Sequence, residues 1–267
     1  DQRGVQVVRF TGNTHVAENA FRENESLMEL LDVNAIEDIN PRAFQYCSLL
    51  TQLGDLSSLT TIGEEAFVGT PLTQLGDLPS LKTIGESAFF FTQLEQLGDM
   101  PALTTIGKCA FYNIPLTQLG DMGRLTDIGD HAFYLTPLAH LGDLSSLKTV
   151  GVLAFYGTSL QQLGDLSSLQ TIGDSAFQGT PLEQLGDLSS LKKIGNSAFA
   201  NTSLAQLGDM KALTDIGESA FEHTPLEKLG GLSSLKTIGR NAFLDTKLEQ
   251  LGDMKALTDI GESAFEH

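Results

Sequence analysis

Cys109 and His131 have side chains that could do covalent chemistry together, because a histidine beside a cysteine can accept its proton and leave a thiolate nucleophile. The two residues are 22 positions apart in a chain of 267 residues that repeats with that same period. No third residue recurs there to orient the histidine, as a catalytic triad requires. The sequence also contains no phosphate-binding glycine loop, no His-Glu-x-x-His motif and no zinc-ligand spacing. We therefore expect a protein that is not an enzyme, with no catalytic residue, no metal and no cofactor.

A column of aspartates has the side-chain type that could bind divalent cations. Its members recur at one place in the repeat: Asp55, Asp77, Asp99, Asp121, Asp143, Asp165, Asp187, Asp209 and Asp253. Each repeat supplies only one carboxylate at this place, whereas Ca²⁺ takes about six to eight oxygen ligands. An aspartate can instead accept the amide hydrogens of the turn that follows it. We therefore expect these aspartates to cap the Leu-Ser-Ser turns.

Four aromatic residues are the first candidates for a partner-binding site, because they follow successive Ala-Phe pairs. They are Phe90, Tyr112, Tyr134 and Tyr156. Exposed aromatic residues in adjacent repeats form the kind of patch through which proteins bind partners. Tyrosine at this place could equally cover a loop without binding anything. Later repeats replace these residues with Gln178, Ala200 and Glu222.

A second candidate surface is a column of mostly glutamine residues, each of which directly precedes a strand residue that should point inward. The column comprises Gln52, Gln74, Gln96, Gln118, His140, Gln162, Gln184, Gln206, Lys228 and Gln250. These side chains should face solvent, where they could recognise a partner or hydrogen-bond to one another. Gln118, His140 and Gln162 from the middle repeats complete the predicted binding site.

The element that must position all of these residues is a tandem repeat. The dipeptide Ala-Phe occurs twelve times, from Phe21 to Phe265, in steps of 22 or 23 residues. Apolar residues three apart, as at Leu72, Leu75 and Leu78, match neither a helix nor a long strand, but they fit a coil that points its corners inward. A unit this small cannot bury its own apolar side chains, so neighbouring units must stack. The sequence therefore predicts a solenoid.

The predicted solenoid is of the α/β class, with about twelve units of 22–23 residues. Each unit reads as short β-strands that end at Gly, followed by a short helical or 3-10 turn over the Ser-Ala-Phe stretch. We expect a single solenoid over residues 1–267, with a partial unit at 1–21 and regular repeats at 22–267. The chain stops half-way through a unit, so its C-terminus should be truncated and its exposed ends could mediate self-association.

The stretch from Ala43 through Phe44, Cys47, Leu50 and Leu53 to Phe67, with its Ile-Gly-x-x-Ala-Phe ending, resembles the BspA-like (Treponema pallidum-type) leucine-rich repeats. The resemblance implies a leucine-rich-repeat coil in a secreted or cell-surface protein that binds partner proteins, with no shared catalytic residues. The chain departs from the family pattern in three ways. Most units here are one residue shorter, and the Cys of the family motif is Thr in most units, as at Thr70 and Thr180. The apolar residue expected two positions after Leu75 is Asp77.

The net charge of −18, from 34 acidic and 16 basic residues, restricts the class of partner. Nucleic acids and anionic membranes would repel such a chain, and no apolar run reaches the roughly 20 residues that span a bilayer. We expect a protein partner, preferably a basic one, and neither nucleic-acid binding nor membrane insertion. The leading hypothesis is a non-enzymatic extracellular protein-binding or adhesion module. The alternative is a structural spacer or a fibre subunit that assembles through the solenoid ends.

Overall fold

The computed structural model of the chain describes residues 6–266; residues 1–5 and 267, which the predicted single solenoid includes, lie outside the described residues. Two units are formed by residues 6–125 with 136–143 and by residues 126–135 with 144–266. The first unit contains strands β1 (Gln6–Arg9), β2 (His15–Val16), β3 (Leu27–Leu31), β4 (Asp38–Ile39), β5 (Thr61–Ile62), β6 (Gln74–Leu75), β7 (Thr83–Ile84), β8 (Gln96–Leu97) and β9 (Thr105–Ile106). The second contains β10 (Asp127–Ile128), β11 (Thr149–Val150), β12 (Thr171–Ile172), β13 (Lys193–Ile194), β14 (Asp215–Ile216), β15 (Thr237–Ile238) and β16 (Asp259–Ile260).

Each unit is a β-solenoid, because equivalent residues of successive coils pair in parallel. In the first unit β2, β4, β5, β7 and β9 pair in that order, so that Thr61 lies beside Thr83 and Ile62 beside Ile84. Strands β1 and β3, and β6 and β8, form two smaller pairs. In the second unit β10 to β16 pair in chain order. The predicted solenoid is therefore confirmed within each unit.

The core of each unit is built around a column of stacked phenylalanine rings, one from each Ala-Phe pair. Neighbouring rings are nearly parallel, with centroids 5.2 Å apart between Phe133 and Phe155 and 5.4 Å apart between Phe67 and Phe89. At the N-terminal end Phe10 packs edge-on against Phe21 at 6.0 Å. The rings from Phe44 to Phe243 are at most 1% exposed. Each ring is therefore buried by contact with neighbouring coils, because a single coil is too small to bury it.

The predicted helical or 3-10 turns are wrong: no helix occurs among residues 6–266. The stretch after each Ile-Gly pair is a series of turns in which a residue such as Glu65 has a positive φ of 54°. Because of this positive φ, the backbone N–H groups of the two residues that follow point in different directions. Ala66 N donates to Gly63 O within the coil (3.3 Å), whereas Phe67 N donates to Ala88 O of the next coil (2.9 Å). A helix would use both amides internally and would leave the neighbouring coil unpaired.

In most coils a buried threonine stands where the resembling repeat motif has cysteine. Its hydroxyl group makes a hydrogen bond inside the core. Thr180 is 1% exposed, and its hydroxyl donates to the carbonyl oxygen of Phe177 at 2.8 Å. The same contact recurs at Thr70, Thr92, Thr158, Thr202, Thr224 and Thr246. The hydroxyl therefore has a partner inside the core, as a buried polar group requires.

Candidate functional site: the turn wall

The surface that departs most from the repeat is the turn wall, which we define as the residues from the Gly of each Ile-Gly pair to the buried Thr (or its Cys or Ile equivalent), for example 151–158. Within residues 6–266, the second residue after an Ala-Phe pair has a positive φ, in the left-handed region that disfavours bulky side chains. Five coils place Gly or Asn there (Gly69, Asn113, Gly157, Gly179 and Asn201), and three others place Glu23, His223 and Asp245. Three coils instead place Tyr46, Phe91 and Leu135 there, with φ of 58°, 59° and 53°.

Within residues 6–266, these three side chains are the most exposed apolar and aromatic members of the turn wall. Phe91 is 62% exposed, Tyr46 is 47% exposed and Leu135 is 45% exposed. An exposed fraction of this size means that the side chains contribute little to the core. The repeat therefore combines an unfavourable backbone conformation with exposed apolar surface at the same positions.

In the first unit the apolar surface is assembled around Phe90. Its ring centroid lies 4.0 Å from that of Phe91 and 5.5 Å from that of Tyr112, with the Phe90 and Tyr112 rings edge to face at 73°. The ring of Tyr46 covers Gly69, because a Cβ atom on that glycine would lie 2.6 Å from the ring.

In the second unit two tyrosines stack. The ring centroids of Tyr134 and Tyr156 are 5.0 Å apart with an angle of 12° between the rings, and His131 lies 5.7 Å from Tyr134. Leu135 covers Gly157, where a Cβ atom would lie 2.7 Å from the leucine side chain. Val152 on the same wall is 37% exposed. Tyr134, Leu135, Val152 and Tyr156 together are called the tyrosine patch below.

The residues of the predicted binding site lie on two different walls and in two different units. Phe90 and Tyr112 come together in the first unit, and Tyr134 and Tyr156 come together in the second, but all four are half-buried. Gln118 and His140 are exposed and bridge each other through their backbones on a different wall of the first unit. Gln162 is exposed in the second unit and bridges Gln184.

Sequence reasoning missed the more exposed residues Phe91, Tyr46, Leu135 and Val152. A signal for the first three was present in the sequence, because each is a bulky aromatic or aliphatic residue in a column that otherwise holds Gly, Asn, His, Asp or Glu. A bulky residue in that column is unusual only because φ is positive at this position, and the sequence does not show the sign of φ. Val152 replaces a charged or polar residue in its column, where Asp130 and Asp174 are its neighbours.

The aspartate column makes two kinds of hydrogen bond, only one of which was predicted. Asp55, Asp165 and Asp187 cap the following turn by accepting the backbone N–H of the second residue on, as in the 2.9 Å contact from Ser57 to Asp55. Backbone and hydroxyl hydrogen bonds from Ser167 lower the pKa of Asp165. Asp77 and Asp99 instead accept an N–H from the next coil, at 2.9 Å from Asp99 and Asp121.

Proline explains part of this difference. Pro79 and Pro101 occupy the capping-donor position after Asp77 and Asp99, and proline has no N–H to donate. The carboxylates therefore turn to the neighbouring coil. In either arrangement the carboxylate accepts a backbone amide, and no group of three or more His, Cys, Asp or Glu that could hold a metal ion is found within residues 6–266.

The two cysteines, Cys47 and Cys109, lie in the first unit, whereas His131 lies in the second. Cys109 and His131 each occupy the turn-wall position directly before an Ala-Phe pair, with φ of 54° and 57°. Cys47 is fully buried, and its Sγ donates to the carbonyl oxygen of Phe21 at 3.0 Å. Burial raises the pKa of the Cys47 thiol to about 11, so it stays protonated at neutral pH. The segments that the structure describes include no helix long and apolar enough to cross a membrane.

Comparison with known proteins agrees with this architecture. The family model described as BspA type leucine rich repeat region (6 copies) matches residues 14–139 and 148–267. None of the curated proteins has a significantly similar sequence.

Two solved structures illustrate the similarity of the fold. A leucine-rich repeat protein from Bacteroides ovatus ATCC 8483 is 20% identical, with a TM-score of 0.60, over 99% of this chain and 76% of that chain. The pneumococcal vaccine antigen PcpA is 21% identical, with a TM-score of 0.50, over 94% of this chain and 73% of that chain. With its Ala-Phe coils stacked in parallel and the family model covering most of its length, the chain belongs to the BspA-type leucine-rich repeat family.

Proposed function

We propose that this chain is a non-enzymatic extracellular module that binds a protein partner, as an adhesion protein would, through its turn wall. The observation that carries the proposal is the set of bulky apolar residues at positive φ, led by Phe91 at 62% exposure. A left-handed conformation costs a non-glycine residue about 1–2 kcal/mol, and the core gains little from a side chain this exposed. Outliers of this kind cluster at functional sites.

The distribution of these residues also supports a binding site. Exposed apolar side chains occupy the turn wall between Tyr46 and Tyr156, whereas Gln178, Glu222 and His223 hold the equivalent places in later coils. A purely structural role would favour the same residues throughout. Membership of the BspA-type family supports the further proposal that the protein is secreted or displayed at the cell surface.

The proposal is tested with a double variant, Phe91→Asn and Leu135→Asn. Asn113 and Asn201 already occupy this column, so the variant should keep the fold. Peptides selected against the full chain from a random-peptide phage library should lose about tenfold in affinity for the double variant, because truncating an anchor commonly costs more than 1 kcal/mol. The control is Gly179→Asn, which introduces the same residue in the same column without removing an apolar side chain.

Selected peptides that bind the double variant and the control equally would contradict the proposal. The same result would follow if the full chain selected no peptide above the level of the bare surface. A thermal unfolding midpoint that is unchanged in both variants is needed to assign the loss to the binding surface.

A structural spacer or a fibre subunit is the second candidate function. The exposed glutamine column supports it, because nearly the same residue recurs from coil to coil, as at Gln162, Gln184 and Gln206, whereas a specific binding site would break the repeat.

A further inference from the structure

From the tyrosine patch and its borders we infer that the second unit binds a basic segment, in which Lys or Arg stands beside aliphatic or aromatic side chains. The inference rests on the proposed function and names the chemistry of the partner at that same wall. The apolar part of the segment would cover Val152 and Leu135, which are 37% and 45% exposed. Its cationic part would meet the carboxylates that border the patch.

Two aspartates border the patch in a single column. Asp130 and Asp174 are exposed, and they lie one coil before and one coil after Val152. At about 5 Å per coil, the two carboxylates flank Val152 on either side along the stack. An apolar side chain between two acids is complementary to a partner residue with an apolar stem and a cationic end.

Both carboxylates are already held in place. Asp130 Oδ1 accepts the backbone N–H of Val152 at 2.8 Å, and Asp174 Oδ1 accepts that of Asn196 at 2.8 Å. Side chains that are fixed before binding lose less conformational entropy when a partner arrives. The remaining oxygen of Asp130 makes no hydrogen bond that the structure shows within the second unit, so it can accept one from a lysine or arginine.

The coils that form the patch contain no competing cation on this wall. The turn-wall segments 129–136, 151–158 and 173–180 contain two aspartates and neither lysine nor arginine. The same column holds Lys108 in the first unit and Arg240 three coils beyond Asp174. The first unit differs, because Arg42 already pairs there with Glu64 at 2.8 Å and Glu65 at 2.7 Å. The ion pairs that the structure shows within the second unit include neither Asp130 nor Asp174, so a cationic ligand is expected there.

The tyrosine rings add a second interaction with a cation. An arginine or lysine over the face of a tyrosine is attracted by the ring quadrupole. Tyr134 and Tyr156 are stacked with ring centroids 5.0 Å apart, so they present a paired aromatic surface on the same turn wall as the carboxylates. A basic and apolar segment is the one class of ligand that uses all three features of the patch.

An asparagine in another coil indicates which substitution would remove the aspartate charges and keep the hydrogen bonds to the backbone. Asn196 lies in the same column as Asp130 and Asp174, and its Oδ1 accepts the backbone N–H of Glu218 at 2.8 Å. The double variant Asp130→Asn with Asp174→Asn should therefore keep the hydrogen bonds from the backbone of the next coil. Besides the two charges it loses one side-chain contact, the 3.3 Å hydrogen bond that Asn196 Nδ2 donates to Asp174 Oδ2. Glu218→Gln is the matched control, because it removes one charge from the same column two coils beyond Asp174.

The experiment selects peptides from a random-peptide phage library on the full chain and then measures the affinity of synthetic copies for each variant. We expect the selected peptides to be enriched in Lys or Arg next to apolar residues. Their affinity should fall about tenfold in the Asp130→Asn, Asp174→Asn variant, should fall with rising NaCl concentration, and should be unchanged by Glu218→Gln.

Acidic or neutral peptides among the selected binders would overturn the inference, and so would basic peptides that bind the double Asn variant with unchanged affinity. In both cases the proposed function survives if those peptides still lose affinity for the Phe91→Asn, Leu135→Asn variant. If no selected peptide is sensitive to any of these turn-wall substitutions, the proposed function fails together with the inference.

Discussion

At the scale of single residues, the backbone at the turn wall decides which side chains are exposed. Phe90 and Phe91 are adjacent and of the same type, yet Phe90 is half-buried and Phe91 is 62% exposed. Phe91 has a φ of 59°, and this left-handed conformation projects its side chain away from the wall. The sequence predicts the Phe90 column because it follows Ala-Phe, but identical residue types carry no information about the sign of φ.

Replacing Phe91 with Asn should leave the stability of the protein nearly unchanged. The substitution relieves a bulky residue at positive φ and loses the contact with the Phe90 ring, centroids 4.0 Å apart, so the two effects oppose each other. We expect the free energy of unfolding in denaturant titrations to change by less than about 1 kcal/mol. Phe155→Ala is the contrasting variant, because Phe155 is 1% exposed and its loss should cost about 3–5 kcal/mol. A strongly destabilised Phe91→Asn protein would show that Phe91 serves the fold.

At the scale of the coil elements, the Gly of each Ile-Gly pair sets how closely neighbouring coils approach. A Cβ atom on Gly173 would lie 2.6 Å from the carbonyl carbon of Gly151 in the preceding coil. Such a contact is with backbone, which cannot move aside without opening the ladder between β11 and β12. The glycine is therefore required by packing between coils.

Gly173→Ala should destabilise the protein by about 2–3 kcal/mol, because the methyl group overfills the space between two backbones. Gly208 is a matched control on another wall of the second unit, since a Cβ atom there meets nothing within 4 Å. Gly208→Ala should change the unfolding free energy by no more than about 1 kcal/mol in either direction. Equal destabilisation of the two variants in chemical denaturation would contradict this account of the Ile-Gly column.

The turn elements also show why local sequence can mislead. Ser-Ala-Phe tolerates a helix, but the amides of Phe67 and its equivalents donate to the next coil, as Phe67 N does to Ala88 O. Similarly, Asp-Leu-Ser-Ser predicts the cap found at Asp165, whereas Asp77, followed by Leu78 and Pro79, bonds to the backbone of Asp99. In both cases the partner lies one repeat away, where local propensity has no influence.

At the scale of the whole molecule, the net charge of −18 opposes close association, while the exposed apolar side chains of Phe91 and Leu135 favour it. We expect the chain to self-associate reversibly at high protein concentration and more strongly at high salt, which screens the charge. The variant Phe91→Lys with Leu135→Lys should stay monomeric in sedimentation velocity experiments. Gln162→Lys with Gln184→Lys is the control, since it adds the same charge in a column that already holds Lys228 and removes no apolar side chain. A monomeric native chain at every concentration would argue against the spacer or fibre alternative.

The amino-acid sequence by itself determines the period of the coil, the inward columns of Leu, Ile and Phe, and the family. It does so because stacking places equivalent residues of successive repeats side by side, so a period in the chain becomes a column in space. Only the tertiary structure decides the turns, the two roles of the aspartates and the exposure of Phe91 and Leu135. Those features depend on which way each peptide group points, and that direction is set by hydrogen-bond partners in the neighbouring coil.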